Sequence, residues 1–189
     1  MTAAARPLYR RRFFLADRRG VTALEFALLT PVLMLMLCGI LEVGLMVMTD
    51  ASLEMGMRAA SRYGVTVNPT GVSRSAAIQT MITSYVQPWM TKGATLTVTE
   101  KVYSSFANVG QPEPFTDLNG NGKWDPGEPY VDVNGNGQWD ADQGISSDGG
   151  SGDIVVYQAT LVRPGFTGIL KWLGISSLTF SRQMLVQNE

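Results

Sequence analysis

Between Glu25 and Glu42 the chain carries no charged residue for sixteen positions, from Phe26 to Leu41, and Val43–Met48 extends the apolar run beyond Glu42. With its flanks this stretch reaches the roughly 20 residues that span a bilayer. It is too long for the apolar core of a cleaved secretory signal, and no small-x-small cleavage site follows it. One helix is therefore committed to lipid, and the remaining fold must hang from it. The arginine-rich segment Arg10-Arg11-Arg12-Phe13-Phe14 has the flavour of a twin-arginine export signal. The strength of the run and the missing cleavage site argue against that reading. Pro31 falls inside the helix, where proline typically costs about 3 kcal/mol and bends the axis. Membrane helices tolerate such a break when neighbours satisfy the freed carbonyl. Glu25 stands at the mouth of the run. A charge costs roughly 2.5–3.5 kcal/mol at the bilayer centre and less near its edge, so this carboxylate is either an interfacial, snorkelling acid or a group awaiting a partner.

Charge is distributed unevenly. Arg6, Arg10, Arg11, Arg12, Arg18 and Arg19 precede the run with one acid, Asp17; of the chain's 15 basic and 16 acidic residues, nine and fifteen then remain beyond Gly20. The part after Gly20 is acidic, which argues against nucleic-acid binding. Arginines before the run place the N-terminus in the cytoplasm and everything after the helix on the far side. The chain has no histidine. That removes Ser-His and Cys-His catalysis and His-ligated zinc. Cys38, the only cysteine, lies within the apolar run and cannot form a disulfide within the chain; it reads as a small apolar residue. No catalytic residues and no small-molecule substrate are expected.

Arg18-Arg19-Gly20-Val21 followed by Glu25-Phe26 resembles the signal of type IV prepilins, in which a peptidase cuts after the glycine. The resemblance implies a leader over 1–20, a new amine at Val21 and a role for Glu25 as that amine's partner during assembly. A carboxylate and an amine attract strongly in a low-dielectric setting, and the amine can belong to a neighbouring subunit. Pro31 resembles the proline of pilin helices, where local unwinding accompanies filament assembly. More narrowly, Ala23-Leu24-Glu25-Phe26-Ala27-Leu28, Thr30-Pro31-Val32-Leu33, Gly39-Ile40-Leu41-Glu42-Val43-Gly44 and Arg58-Ala59-Ala60-Ser61-Arg62-Tyr63-Gly64 resemble TadE-like proteins, pseudopilins of the tight-adherence (Tad, or Flp) pilus. The resemblance covers the first third of the chain. It implies a prepilin peptidase, other pilins and pseudopilins, and the membrane as partners, with the chain held in a bacterial inner membrane as a single-pass minor pilin. Glu42 matches the family's second helix acid; on physical grounds it belongs near the far interface or against a partner helix.

The exported part, 49–189, reads as α+β. Leu53, Met57 and Ala60 continue an apolar stripe past the membrane segment 21–48, and Glu54 with Arg58 forms an i,i+4 pair. The helix is expected to end at Tyr63-Gly64, before a loop through Asn68-Pro69-Thr70-Gly71. Ser73 is placed to cap a second helix with Ile78, Met81, Ile82 and Tyr85 inward, ended by Pro88. Alternation marks strands at Leu96–Val102, Ile154–Val162 and Leu178–Val186, the last with Arg182 spoiling its face. A short apolar helix around Ile169–Leu173, stopped by Gly174, separates the second and third. A long helix on a small antiparallel sheet is the expected, pilin-like architecture.

Between the first two strands, 117–143 carries a tandem motif. Asp117, Asn119, Asn121, Gly122, Asp125 and Glu128 fill positions 1, 3, 5, 6, 9 and 12 of an EF-hand loop, with Lys123 offering its backbone carbonyl. Ca2+ takes six to eight oxygens, and this spacing supplies them around a tight turn. Fifteen residues on, Asp132, Asn134, Asn136, Gly137, Gln138 and Asp140 repeat the motif. Its twelfth position is Gln143, a poorer ligand, with Asp142 beside it, so the second loop is expected to be weaker or to borrow an acid such as Asp148 or Asp153. The competing reading is a polar loop whose four Asn-Gly steps merely form turns. Flanking EF-hand helices are excluded by Pro126 and Pro129 and by the three residues between the loops. Amides at positions 3 and 5 favour weak binding, on the order of 10⁻⁴–10⁻³ M, which suits a calcium-rich exterior. Trp124 and Trp139, both at position 8, are expected to pack on each other or on the sheet. The combined expectation is a minor pseudopilin that assembles, initiates, caps or decorates a Tad-type pilus with a calcium-stabilised head. The other reading is a membrane-tethered, calcium-dependent adhesin or ligand-binding module.

Overall fold

The computed structural model describes residues 20–66 and 73–188, without side chains at 63–66. The arginine-rich segment before Gly20 and the Asn68–Gly71 loop lie outside the described residues. Helix α1 (Val21–Thr66) runs unbroken for 46 residues with Pro31 inside it. It passes the expected end at Gly64 by two residues, a normal spread for a helix terminus. From Val21 to Leu41 it carries no charge but Glu25 and is mostly exposed, and α1 is long and apolar enough to cross a membrane. Beyond that, burial becomes one-sided: Glu42, Thr49, Leu53, Met57 and Ala60 share a face turned toward the rest of the chain.

Helix α2 (Arg74–Val86) starts as its sequence requires, with Ser73 Oγ accepting from Ala76 N at 3.2 Å. Ile78, Ile82 and Val86, four residues apart, are its buried stripe. Tyr85, expected inward, is exposed instead. It lies beside that stripe, its Cβ against Gly56 of α1, where an added methyl group would come within 3.1 Å. A 3-10 turn over Gln87–Trp89, containing Pro88, closes the helix.

Three strands follow, β1 (Thr95–Tyr103), β2 (Ile154–Arg163) and β3 (Leu178–Gln187), in antiparallel order β1-β2-β3. The register pairs Val98 with Ala159 and Leu161 with Phe180. One sheet face packs Val102, Val155, Tyr157, Ala159, Leu161 and Val186 onto the stripes of α1 and α2. Tyr103, Ile154 and Val156 form a smaller cluster with Val109 at the end of the sheet. Arg182, the charge on the inward face of β3, pairs with Asp50 of α1, which explains how that face accepts it. The expected short helix is α3 (Ile169–Trp172), in the β2–β3 connection. The result is an α+β unit of one long helix on a small antiparallel sheet.

Candidate functional site

Two places in this fold hold buried carboxylates. The first is the joint between α1 and the head. Glu42 is 1% exposed. Its Oε1 accepts from Phe166 N at 3.1 Å, and its Oε2 from Thr167 N and Thr167 Oγ1, both at 2.8 Å. Gly165 must stay small here, because a Cβ would meet Oε1 at 3.2 Å and Leu170 at 2.9 Å. Arg163, at the end of β2 and fully buried, brings Nη1 within 3.9 Å of Glu42 Oε1. Its Nε and Nη2 donate to Thr49 Oγ1 at 3.2 and 3.0 Å, and its Nη1 donates to Pro164 O at 2.9 Å. The guanidinium lies 4.3 Å from the Phe166 ring centroid and 5.3 Å from that of Phe180, a cation–π contact from each. Glu42 therefore faces its own chain's connecting loop rather than a partner helix. Arg163 was not singled out in the sequence, although a lone arginine ending an apolar strand and a lone acid inside an apolar helix are the signal that could pair them.

At the other end of α1, Leu24 N bonds Gly20 O at 3.1 Å, so the helix begins directly after the expected cleavage glycine. Val21 and Glu25 are exposed, and among the described residues the Glu25 side chain makes no hydrogen bond or ion pair. Pro31 lines a cleft with residues of α3.

The second place is the connection between β1 and β2. Residues 113–127 and 128–142 are two copies of one 15-residue unit, beginning Glu-Pro-Phe and Glu-Pro-Tyr. Phe115 and Tyr130 form an antiparallel bridge, with Thr116 N to Pro129 O and Val131 N to Pro114 O, both 2.8 Å. The two loops repeat each other closely. Asp117 accepts from Gly120 N and Gly122 N at 2.7 Å; Asp132 accepts from Gly135 N at 2.7 Å and Gly137 N at 2.8 Å. Those bonds, led by the one from Gly122, hold the Asp117 carboxyl below its ordinary range. Gly122 and Gly137 make the sharp bend at φ +76° and +78°. Asn119 and Asn121 turn their amide nitrogens onto Asp125 Oδ2, both at 2.7 Å, and Asn134 and Asn136 do the same to Asp140. Lys123 and Gln138 donate their backbone N–H to Asn121 and Asn136 at 2.7 Å.

Glu128 closes the first loop, accepting from Leu118 N at 2.9 Å and Asp125 N at 3.0 Å. The same position in the second loop is filled by Glu113, fully buried, which accepts from Val133 N at 2.7 Å and Asp140 N at 3.0 Å. Each unit thus supplies the glutamate that closes the other's loop. The remaining acids do not take that place. Asp142 accepts from Lys101 Nζ at 2.6 Å and Tyr103 Oη at 2.7 Å; burial pulls its carboxyl upward, and those bonds, with one from Gly144 N and the Lys101 charge, together hold it below its ordinary range. Gln143 turns to Gln111 and Pro112, Asp153 accepts from Gly150 N, and Asp148 lies beside Glu100. Glu113 was missed because positions were counted forward from each aspartate; the 15-residue period starting at Glu-Pro-aromatic was the available signal. Trp124 and Trp139 stack at 5.1 Å with planes 10° apart, and their Nε1 groups donate to Glu128 O and Glu113 O. Among the described residues no three His, Cys, Asp or Glu side chains gather into a metal-holding group; each loop centre is two aspartates and two amides.

Comparison with curated proteins and with solved structures finds no match. Comparison with protein families finds that residues 20–62 are similar to the family described as TadE-like protein, a stretch that runs from the expected cleavage glycine through most of α1.

Proposed function

We propose that this chain is a minor pseudopilin of a Tad-type pilus, cut after Gly20 by a prepilin peptidase and anchored by the apolar part of α1. It would act in the assembly, initiation or decoration of the filament with other pilins. The observation that carries this reading is the coincidence of two boundaries at one glycine, with Glu25 close behind: the TadE-like match begins at Gly20, α1 begins at Val21, and the Glu25 side chain in the second turn has no partner among the described residues. Cleavage there leaves a helix whose new positive amine suits a neighbouring subunit's Glu25. Mass spectrometry of the membrane-extracted chain tests it: an N-terminus at Val21 is expected, and an intact leader supports an uncleaved tether instead. Glu25→Ala is expected to abolish piliation while leaving cleavage and anchoring unchanged; normal pili in that variant count against the proposal.

The paired loops are proposed to bind Ca2+ after export and so to hold the head's long connection, which no disulfide secures. Donor chemistry supports this. Asp117, Asn119, Asn121 and Asp125 converge, as do Asp132, Asn134, Asn136 and Asp140. Each asparagine Oδ1 accepts a backbone N–H, so turning an amide over to offer its oxygen to the centre would give up that bond, a cost the cation would have to offset. Glu128 and Glu113 stand ready on the two units. The stabilisation follows RT ln(1 + [L]/Kd), about 0.4 kcal/mol at [L] equal to Kd, which is a structural role rather than a sensor's. Asp117→Ala is expected to raise protease cutting between Phe115 and Gly144 in millimolar calcium. Equal cutting of the unaltered chain in calcium and in chelator refutes the metal reading.

A further inference from the structure

The β2–β3 connection runs down the membrane helix rather than over the head. Arg163 stands beside Thr49 and Leu45, Phe166 and Thr167 bond Glu42, and Gly168, Ile169 and Trp172 share a cleft of about 460 Å³ with Cys38, Met34 and Pro31. At about 1.5 Å of rise per residue, the step from Thr49 to Pro31 is a descent of roughly 27 Å. A bilayer's hydrocarbon core takes about 20 residues of helix. Counted from Val21, it ends one or two residues before Glu42, the first charge after Glu25. The residues of α1 that face α3 therefore lie roughly 5–15 Å inside that edge.

We infer that residues 165–175 enter the head-side leaflet as a second, non-spanning membrane contact, with Trp172, Leu173 and Ile175 set in lipid. Their exposures are 74%, 59% and 43%, on a segment that buries Leu170 and is tied to α1 through Glu42. The lipid that surrounds α1 at this depth is continuous with them. Backbone at such depth must satisfy its polar groups internally, and six N–H groups of this segment do so. Phe166 and Thr167 N–H go to Glu42. Trp172, Leu173, Gly174 and Ile175 N–H go to Gly168, Ile169, Lys171 and Leu170 carbonyls at 3.2, 3.0, 3.1 and 2.8 Å. Tryptophan favours the boundary between headgroups and acyl chains, and exposed Lys171 can lay its stem along lipid with its ammonium in water. Glu42, capped by this segment, is thereby sealed at the membrane edge without a partner helix.

The inference rests on α1 spanning the bilayer, and one experiment separates the two. The full chain, with Cys38→Ala, is nitroxide-labelled through Trp172→Cys, Leu29→Cys or Ser105→Cys and reconstituted sparsely in phosphatidylcholine–phosphatidylglycerol vesicles. Relaxation by oxygen is compared with relaxation by a water-soluble nickel chelate. The label at 172 is expected to favour oxygen over nickel several-fold relative to the label at 105, as the label at 29 does. Nickel access at 172 equal to that at 105, with 29 shielded, overturns the inference and leaves the spanning helix intact; nickel access at 29 removes the spanning helix itself. Shielding at 172 from both reagents that vanishes on dilution with lipid marks a contact between copies and also overturns it. Brominated acyl chains give an independent reading on the unlabelled chain. Trp172→Phe is expected to remove most of the tryptophan quenching, and unchanged quenching contradicts lipid contact at 172.

Discussion

The joint at Glu42 and the paired loops both bury glutamates, and they neutralise them differently. Glu42 has backbone donors and a cation, Arg163, in the same chain. Glu113 and Glu128 have backbone donors, and among the described residues no lysine or arginine forms an ion pair with them or with the aspartates at the loop centres. The joint is thus electrically complete within the chain, whereas the loops carry a surplus of negative charge held in place by N–H groups. The cation proposed for the loops would neutralise that surplus, and its supply is set from outside the chain. The joint offers no such adjustment and is suited to fixing the angle of the head on its anchor.

Removing the internal cation is expected to have the largest effect. Arg163→Ala leaves Glu42 buried without its counter-charge and Thr49 Oγ1 without its donor, a loss of about 3–5 kcal/mol. Denaturant unfolding of the detergent-solubilised chain, followed by near-ultraviolet circular dichroism, reads it; a loss below about 1 kcal/mol would show that the backbone donors alone neutralise Glu42. Glu113→Ala comes next. It orphans the N–H groups of Val133 and Asp140 and is expected to cost about 3 kcal/mol. It should also expose the 132–140 loop to protease in calcium while sparing 117–125. If both loops open together, the exchange of glutamates couples them more tightly than the bridge at Phe115 and Tyr130 suggests.

How far the sequence exposed these two places differs for the same reason they behave differently. Helices and strands followed from local periodicity: Ile78 and Ile82 on one helix face, and Leu178 to Val186 alternating along a strand. The four side chains that converge in each loop were legible because their spacing is local. The Glu42–Arg163 pair was not, because it joins residues 121 positions apart, a closure that only the sheet's placement against α1 determines. Glu113 was hidden by direction rather than distance, since a loop can be closed from the segment before it. Tyr85 was misassigned because an apolar helical stripe of 3.6-residue period is narrower than the run of apolar side chains it was drawn from.

A smaller effect tests whether the loops act as one body. Trp139→Leu removes the stack on Trp124 and the Nε1 bond to Glu113 O, about 1–2 kcal/mol together. Thermal unfolding with and without calcium separates two outcomes. An equal loss in both places the stack in the frame, and a loss confined to chelator makes it a substitute for the cation.

Glu100 supplies a third way of holding a carboxylate: among the described residues it has neither an ion pair nor a backbone donor. Burial raises its pKa from 4.5 to about 7, Asp148 beside it adds to the rise, and Ser75 opposes it. Tyr157, pushed to about 12, and Arg74 complete the surroundings. A glutamate with a raised pKa binds its proton more tightly in the folded state. Its contribution is therefore whole below pH 4.5 and is lost as pH climbs through 7. Glu100→Gln should match the parent chain at pH 5 and exceed it at pH 8. Solvent screening of this half-buried group holds the gap to the order of 1 kcal/mol, about 2–4 °C in Tm. Melting curves at the two pH values decide it. A variant that loses stability at pH 8 would mean that the ionised carboxylate is paired in solution, and Glu100 would then belong with Glu42 rather than apart from it.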